Sequence, residues 1–168
     1  YVGAEVSIGS LLVNYLAQPA VLSASEATAG QLISLYWGGA MAGRFAGSWI
    51  LARLSPGRVL AGAAAIAILL AGLSGISSGM IAAATILAIG LANSIMFPTI
   101  FTLACEKLGS RAADGSGIIN VAIVGGAVVP LLTGVIADAT SSLAIAFMLP
   151  MACYAVIASF GFYARKPA

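Results

Sequence analysis

The chain has 168 residues, 61% of them hydrophobic and 7% charged, with a net charge of +2. Soluble domains carry about 25% charged residues, so this composition excludes a water-soluble globular domain and points to an integral membrane protein. With no histidine there is little to hold a metal, and no basic stripe is present to meet nucleic-acid phosphates.

Six apolar segments, each near the length a helix needs to cross a bilayer, are predicted at roughly 2–21, 31–54, 59–75, 81–104, 118–137 and 143–163. The stretches SASEAT, RLSPGR, SGISSG, EKLGSRAADGSG and DATSS separate them with turn-forming residues. Basic residues fall on one side only: Arg53 and Arg58, Lys107 and Arg111, Arg165 and Lys166. The positive-inside rule makes that side cytoplasmic, so both ends of the segment are expected there. Cys105 and Cys153 lie in different segments and read as small apolar residues. The chain opens YVGAEV, without Met or a basic leader. It is therefore expected to be a piece of a longer protein and not to begin with a signal peptide.

The first segment carries a polar stripe, Gly3, Ser7, Ser10, Asn14 and Gln18, at steps of three and four that share one helical face. Lipid cannot satisfy these groups. The face is either a small-residue seam with Asn14 as interhelical glue or a cavity lining in which Asn14 meets a ligand. Glu5 sits on the opposite face. Arg44, the one basic residue inside a segment, lies at comparable depth on the next helix, and the two are expected to pair as a structural tie or a gate. Tyr36 and Trp37 serve either as interfacial anchors or as ligand contacts. Gly39, Gly43 and Gly47, at steps of four, form a close-packing seam.

In the fourth segment, LANSIMFPTIF, Gly90, Asn93, Ser94 and Phe97 share a face that Phe101 continues. Pro98 has no N–H for the carbonyl of Ser94, so the helix is expected to bend there. An amide and an aromatic beside a bend suit a neutral polyol, because an amide both donates to and accepts from hydroxyls. A packed interhelical Asn with an incidental kink is the alternative. Asn120, at the start of the fifth segment, is either a cap or a ligand contact. The first and fourth segments echo one another, Asn14 and Asn93 each followed five residues later by Pro19 and Pro98.

The stretches YVGAEVSIGSLLVNYL, YWGGAMAGRFAGS, NSIMFPTIFTLA and GSGIINVAIVGGAVVPLLTGVIAD closely resemble the glucose/galactose branch of the fucose–galactose–glucose symporter family, within the major facilitator superfamily. The resemblance covers essentially the whole chain. It implies an all-α membrane fold: six transmembrane helices in a three-plus-three inverted repeat, the C-terminal half of a twelve-helix transporter whose N-terminal half is absent. The Asn–Pro echo fits such a repeat. The implied activity is hexose import, of glucose or galactose, with a co-transported proton or sodium ion by alternating access across a bacterial inner membrane. No cofactor is implied, and the expected partners are the hexose, the missing half and the lipid bilayer.

The stretch GSWILARLSPGRVL resembles the basic loop of the superfamily, with Arg53 and Arg58 in its basic positions, although Leu51 and Ala52 stand where an acidic residue is usual. Glu106 and Arg111 match an acidic-then-arginine pattern and are expected to meet Arg53 in a cytoplasmic gate. Because this half lacks a mid-membrane carboxylate, the coupling carboxylate is expected in the other half. Competing readings are a major-facilitator transporter of fucose, a drug or a lipid, and a non-transporting scaffold. An intramembrane enzyme would need a nucleophile–base pair or metal ligands at depth, and none is visible.

Overall fold

The computed structural model describes residues 1–164; Arg165 and Lys166, counted above among the basic residues of one side, lie outside the described residues. The described chain is helical: α1 (Val2–Ala17), α2 (Glu26–Leu51), α3 (Pro56–Ile76), α4 (Gly79–Asn93), α5 (Met96–Cys105), a 3-10 turn at Gly109–Arg111, α6 (Ala112–Ala122), α7 (Gly125–Thr140), α8 (Leu143–Ala146) and α9 (Met148–Ala164). The pairs α4–α5, α6–α7 and α8–α9 each form one crossing interrupted by a short break, so the elements make six crossings. Four of them, Pro56–Ile76, Gly79–Cys105, Gly109–Thr140 and Leu143–Ala164, are long and apolar enough to span a membrane, and α1 is apolar but shorter.

Local chemistry sets the boundaries, and it moves several of the expected ones. The first helix ends at Ala17 instead of 21, because Pro19 pushes the residue before it out of the helical region and Gln18 is extended, with ψ 140°. The second begins at Glu26, five residues before the expected start. Ser25 caps it, its Oγ accepting the Thr28 N–H at 3.2 Å, and Glu26 favours the positive helix end. Pro56 opens α3 at its first position, where a missing N–H costs nothing. The fifth crossing starts at Ala112, with Asp114 in its first turn, six residues earlier than the apolar run alone indicates.

Two of the breaks have a related cause. α4 stops at Asn93, Ser94 and Ile95 form a turn, and α5 resumes at Met96. Pro98 stands in the first turn of α5 and offers no N–H to Ser94 four residues back. Pro150 stands in the same relation to the break at Phe147, between α8 and α9.

In the bundle α3 packs on α9 and α4, α2 on α4, and α1 on α7. The α2–α4 seam depends on glycine. A Cβ on Gly43 would lie 2.6 Å from the Ser94 Oγ and 2.9 Å from the Leu91 carbonyl oxygen, and one on Gly90 would run into the Tyr36 carbonyl. α6 has no buried residue and α7 has only Thr133, so this crossing lies at the edge of the bundle with Ile118, Val121, Leu131 and Val135 exposed.

Gly90→Ala should lower stability by about 1–3 kcal/mol through overpacking against backbone. Gly38→Ala, where a Cβ meets nothing within 4 Å, should leave the thermal midpoint in detergent nearly unchanged.

Candidate functional site

The break in the fourth crossing organises the polar interior. Asn93, the last residue of α4, is 1% exposed. Its Nδ2 donates to the Tyr36 hydroxyl at 2.8 Å, and its Oδ1 accepts from the Tyr154 hydroxyl at 2.8 Å. Its backbone carbonyl, near the helix end, accepts from the Tyr1 hydroxyl at 2.8 Å. The Tyr36 hydroxyl also reaches toward the Glu5 carbonyl oxygen at 3.5 Å. An amide buried in an apolar bundle is costly unless paired, and here tyrosines from α2 and α9 engage it while one at the start of α1 fills a carbonyl at the break. Four crossings are tied at one residue.

The expected ligand contacts are therefore redistributed. Asn93 and Tyr36 are brought together, hydrogen-bonded to each other inside the protein. Trp37, 48% exposed, packs edge-on against Tyr36 with ring centroids 5.2 Å apart. Asn14 and Asn120 are exposed on the bundle surface. The polar stripe of α1 divides. Gly3 abuts Val129 and the Gly125 carbonyl, and Ser7 accepts from the Thr133 Oγ1 at 3.2 Å, forming a seam with α7, whereas Ser10 and Asn14 are open. The Asn–Pro echo does not carry one role twice: Pro19 lies beyond the end of α1 and Pro98 inside a crossing.

A cavity of about 540 Å³ lies beside the break, lined by Tyr1, Glu5, Arg44, Ser94, Phe97 and Pro98, with Val2 and Ile123 completing it. The Tyr1 and Phe97 rings sit 6.3 Å apart, and Phe97 and Phe101 are separated by the same distance. Glu5 and Arg44 thus share a cavity as neighbours of opposite charge. The direct pair expected from sequence is not formed: among the described residues the one ion pair within 4.0 Å joins Arg111 to Asp114, at 3.9 Å. The gate cluster expected of Arg53, Glu106 and Arg111 is likewise unassembled here. Arg53 lies over the Trp49 ring, 3.6 Å from its centroid, Arg111 is held by Asp114, and Glu106 is exposed. Among the described residues no group of three His, Cys, Asp or Glu side chains is placed to hold a metal.

Sequence pattern does not reveal Tyr154, which sits in an apolar run, MACYAVIASF, with no periodic polar signal. The available clue was the amide itself. A buried Asn needs partners for both ends of its side chain, and Tyr154 is one of the few hydroxyls in the last crossing.

No family model matches the chain. It is 51% identical over 166 residues to a protein of Brucella abortus named glucose/galactose transporter, covering 99% of this chain and 40% of the relative. It is 41% identical over 170 residues to a putative glucose/galactose transporter of Helicobacter pylori, covering 99% and 41%. It is also 34% identical over 172 residues to the L-fucose-proton symporter of Escherichia coli, covering 100% and 38%. A crystal structure of the major facilitator superfamily transporter FucP in the outward conformation superposes with a TM-score of 0.94 at 30% identity, over 99% of this chain and 40% of that one. The chain shares the fold of the major facilitator superfamily transporter. It has the fold of one half of such a transporter, is a multi-pass membrane protein, and spans about 40% of the length of these relatives.

Tyr154→Phe should cost about 0.6–1 kcal/mol, the scale of an interhelical hydrogen bond, and Asn93→Ala should cost more. Because the two act on one bond, the double variant should lose less thermal stability than the sum of the singles.

Proposed function

We propose that this chain is the C-terminal half of a twelve-helix symporter that imports glucose or galactose with a cation by alternating access. The observation that carries the proposal is the cavity at the hinge of the fourth crossing, where the aromatic Phe97, the opposed charges of Glu5 and Arg44 and a helix break meet. The names of the relatives at 51% and 41% identity support the hexose.

In this reading Phe97 packs on the C–H face of the sugar, while Arg44 and Glu5 bond its hydroxyls as donor and acceptor. Asn14, Trp37 and Asn120, exposed on this half, face the ligand path or the N-terminal half. Asn93 and Tyr36 stand behind the site and hold the hinge at which Pro98 lets α5 swing. Arg53, Glu106 and Arg111 engage at the cytoplasmic surface in another state of the cycle. The basic turns at Arg53, Arg58, Lys107 and Arg111 set that surface in the cytoplasm of a bacterial inner membrane.

The E. coli relative is named a proton symporter, which favours a proton over sodium as the coupled ion. Glu5 is the carboxylate of this half nearest the cavity, and the main coupling carboxylate is assigned to the other half. A second reading, fucose as substrate, is favoured by that same relative. The substrate site of such transporters lies at the interface of two repeats, so the six-helix piece alone is expected to be inactive.

The test is counterflow of labelled sugar in proteoliposomes of the full-length parent. Arg44→Gln, deleting a charged hydrogen bond worth about 1.5–3 kcal/mol, should reduce glucose or galactose counterflow about ten-fold or more at unchanged thermal stability. Phe97→Ala should weaken it as well. Wild-type movement of fucose but not of glucose or galactose would transfer the site to the second reading, and full counterflow in both variants would remove the cavity from the transport path.

A further inference from the structure

A second cavity, of about 480 Å³, opens on the flank of the bundle between α2, α3 and α4. Its α3 wall includes Arg58, Gly62, Ile66 and Leu70, residues four apart that fall on one helical face, with Val59 and Ala63 beside them. Leu54 and Ile66 at its mouth are each 53% exposed. A Cβ built on Gly62 meets nothing within 4 Å, so the groove is open along that wall. Its floor includes Ser94 and Ile95, the two residues of the break in the fourth crossing. Arg58 stands at one end in the basic turn, and no carboxylate lines the groove.

We propose that this groove binds an anionic phospholipid of the cytoplasmic leaflet, its phosphate on Arg58 and one acyl chain laid along Gly62, Ile66 and Leu70. A slot that is apolar along its length and cationic at one end complements an amphiphile with an anionic head. Basic pockets between transmembrane helices on the cytoplasmic side are the usual sites for such headgroups. The dimensions agree. Twelve residues of helix from Arg58 to Leu70 rise about 18 Å, close to the roughly 15 Å half-thickness of the hydrocarbon core. A transmembrane helix from the other half of the protein would also fit an apolar groove, but it gives the isolated Arg58 no counter-charge.

The site has a consequence for motion. An acyl chain on this floor presses against Ser94 and Ile95 from the side opposite the charged cavity. It supports the break while α5 moves, so anionic lipid content should tune transport through the hinge.

The experiment is native mass spectrometry of the purified full-length parent after exchange into micelles carrying phosphatidylglycerol or phosphatidylcholine. Wild type should retain phosphatidylglycerol in preference to phosphatidylcholine. Arg58→Gln should lower that preference about five-fold, the contribution of one basic residue near an anionic lipid. Gly62→Leu, which fills the groove where there is room for it, should abolish retention of both lipids while the protein keeps its thermal midpoint. Equal retention of the two lipids by wild type, retention by Gly62→Leu equal to wild type, or no lipid on wild type because the rest of the protein covers the groove would each overturn the proposal.

Discussion

Inside a bilayer every polar group must find its partner within the protein, and the side chain of Asn93 is where this chain meets that demand most completely. Lipid offers the amide nothing, so Tyr36 and Tyr154 converge on it from α2 and α9, and Tyr1 takes its backbone carbonyl. The position is significant because the backbone changes course immediately after it. Pro98 leaves the carbonyl of Ser94 without its helical donor, and α4 and α5 are separate rods joined by a two-residue turn. In the proposed transport cycle the amide anchors the stationary side of a hinge at this break. A pair of rods held at one end and loosened at the joint is the kind of element that absorbs domain motion.

Two cavities flank this joint and differ in chemistry. One is charged and aromatic, framed by Glu5, Arg44 and Phe97. The other is apolar and small-residue-lined, with a single cation at its end. Ser94 borders both. A change in either cavity is thus mechanically close to the other, through one residue of backbone rather than through a long chain of contacts. The close α2–α4 approach that makes this possible rests on Gly43 and Gly90, where any larger residue would push Ser94 or the Tyr36 carbonyl away.

Much of this organisation was legible in the residues themselves. Six helical crossings followed from hydropathy and breakers, and the break near Pro98 followed from the missing N–H. The glycine seam followed from spacing. Legibility failed where a side chain's role depends on what lies across from it. Asn14 and Asn93 look alike in sequence, each five residues before a proline, but α1 ends before Pro19 and leaves Asn14 exposed, whereas Asn93 is sealed by tyrosines. Comparable depth suggested a direct Glu5–Arg44 pair, and the two line one cavity without forming it, because depth along a helix does not fix the separation of two flexible side chains. Arg53 found the Trp49 ring and Arg111 found Asp114, neighbours four and three residues away in the chain. Local partners of this kind compete with long-range ones without leaving any signal in hydropathy.

The most direct test of the account is a distance across the hinge. In a full-length parent with Cys105 and Cys153 replaced by Ala, spin labels at Thr85 on α4 and Thr102 on α5 would report the geometry of the break by pulsed electron resonance. An anchored hinge gives a narrow distance distribution without sugar, a displaced one with saturating hexose, and a broad one in the Asn93→Leu background, where the tyrosines lose their amide. One narrow distance, unchanged by sugar and by the substitution, would contradict it: the fourth crossing would then be a rigid rod and Asn93 no anchor.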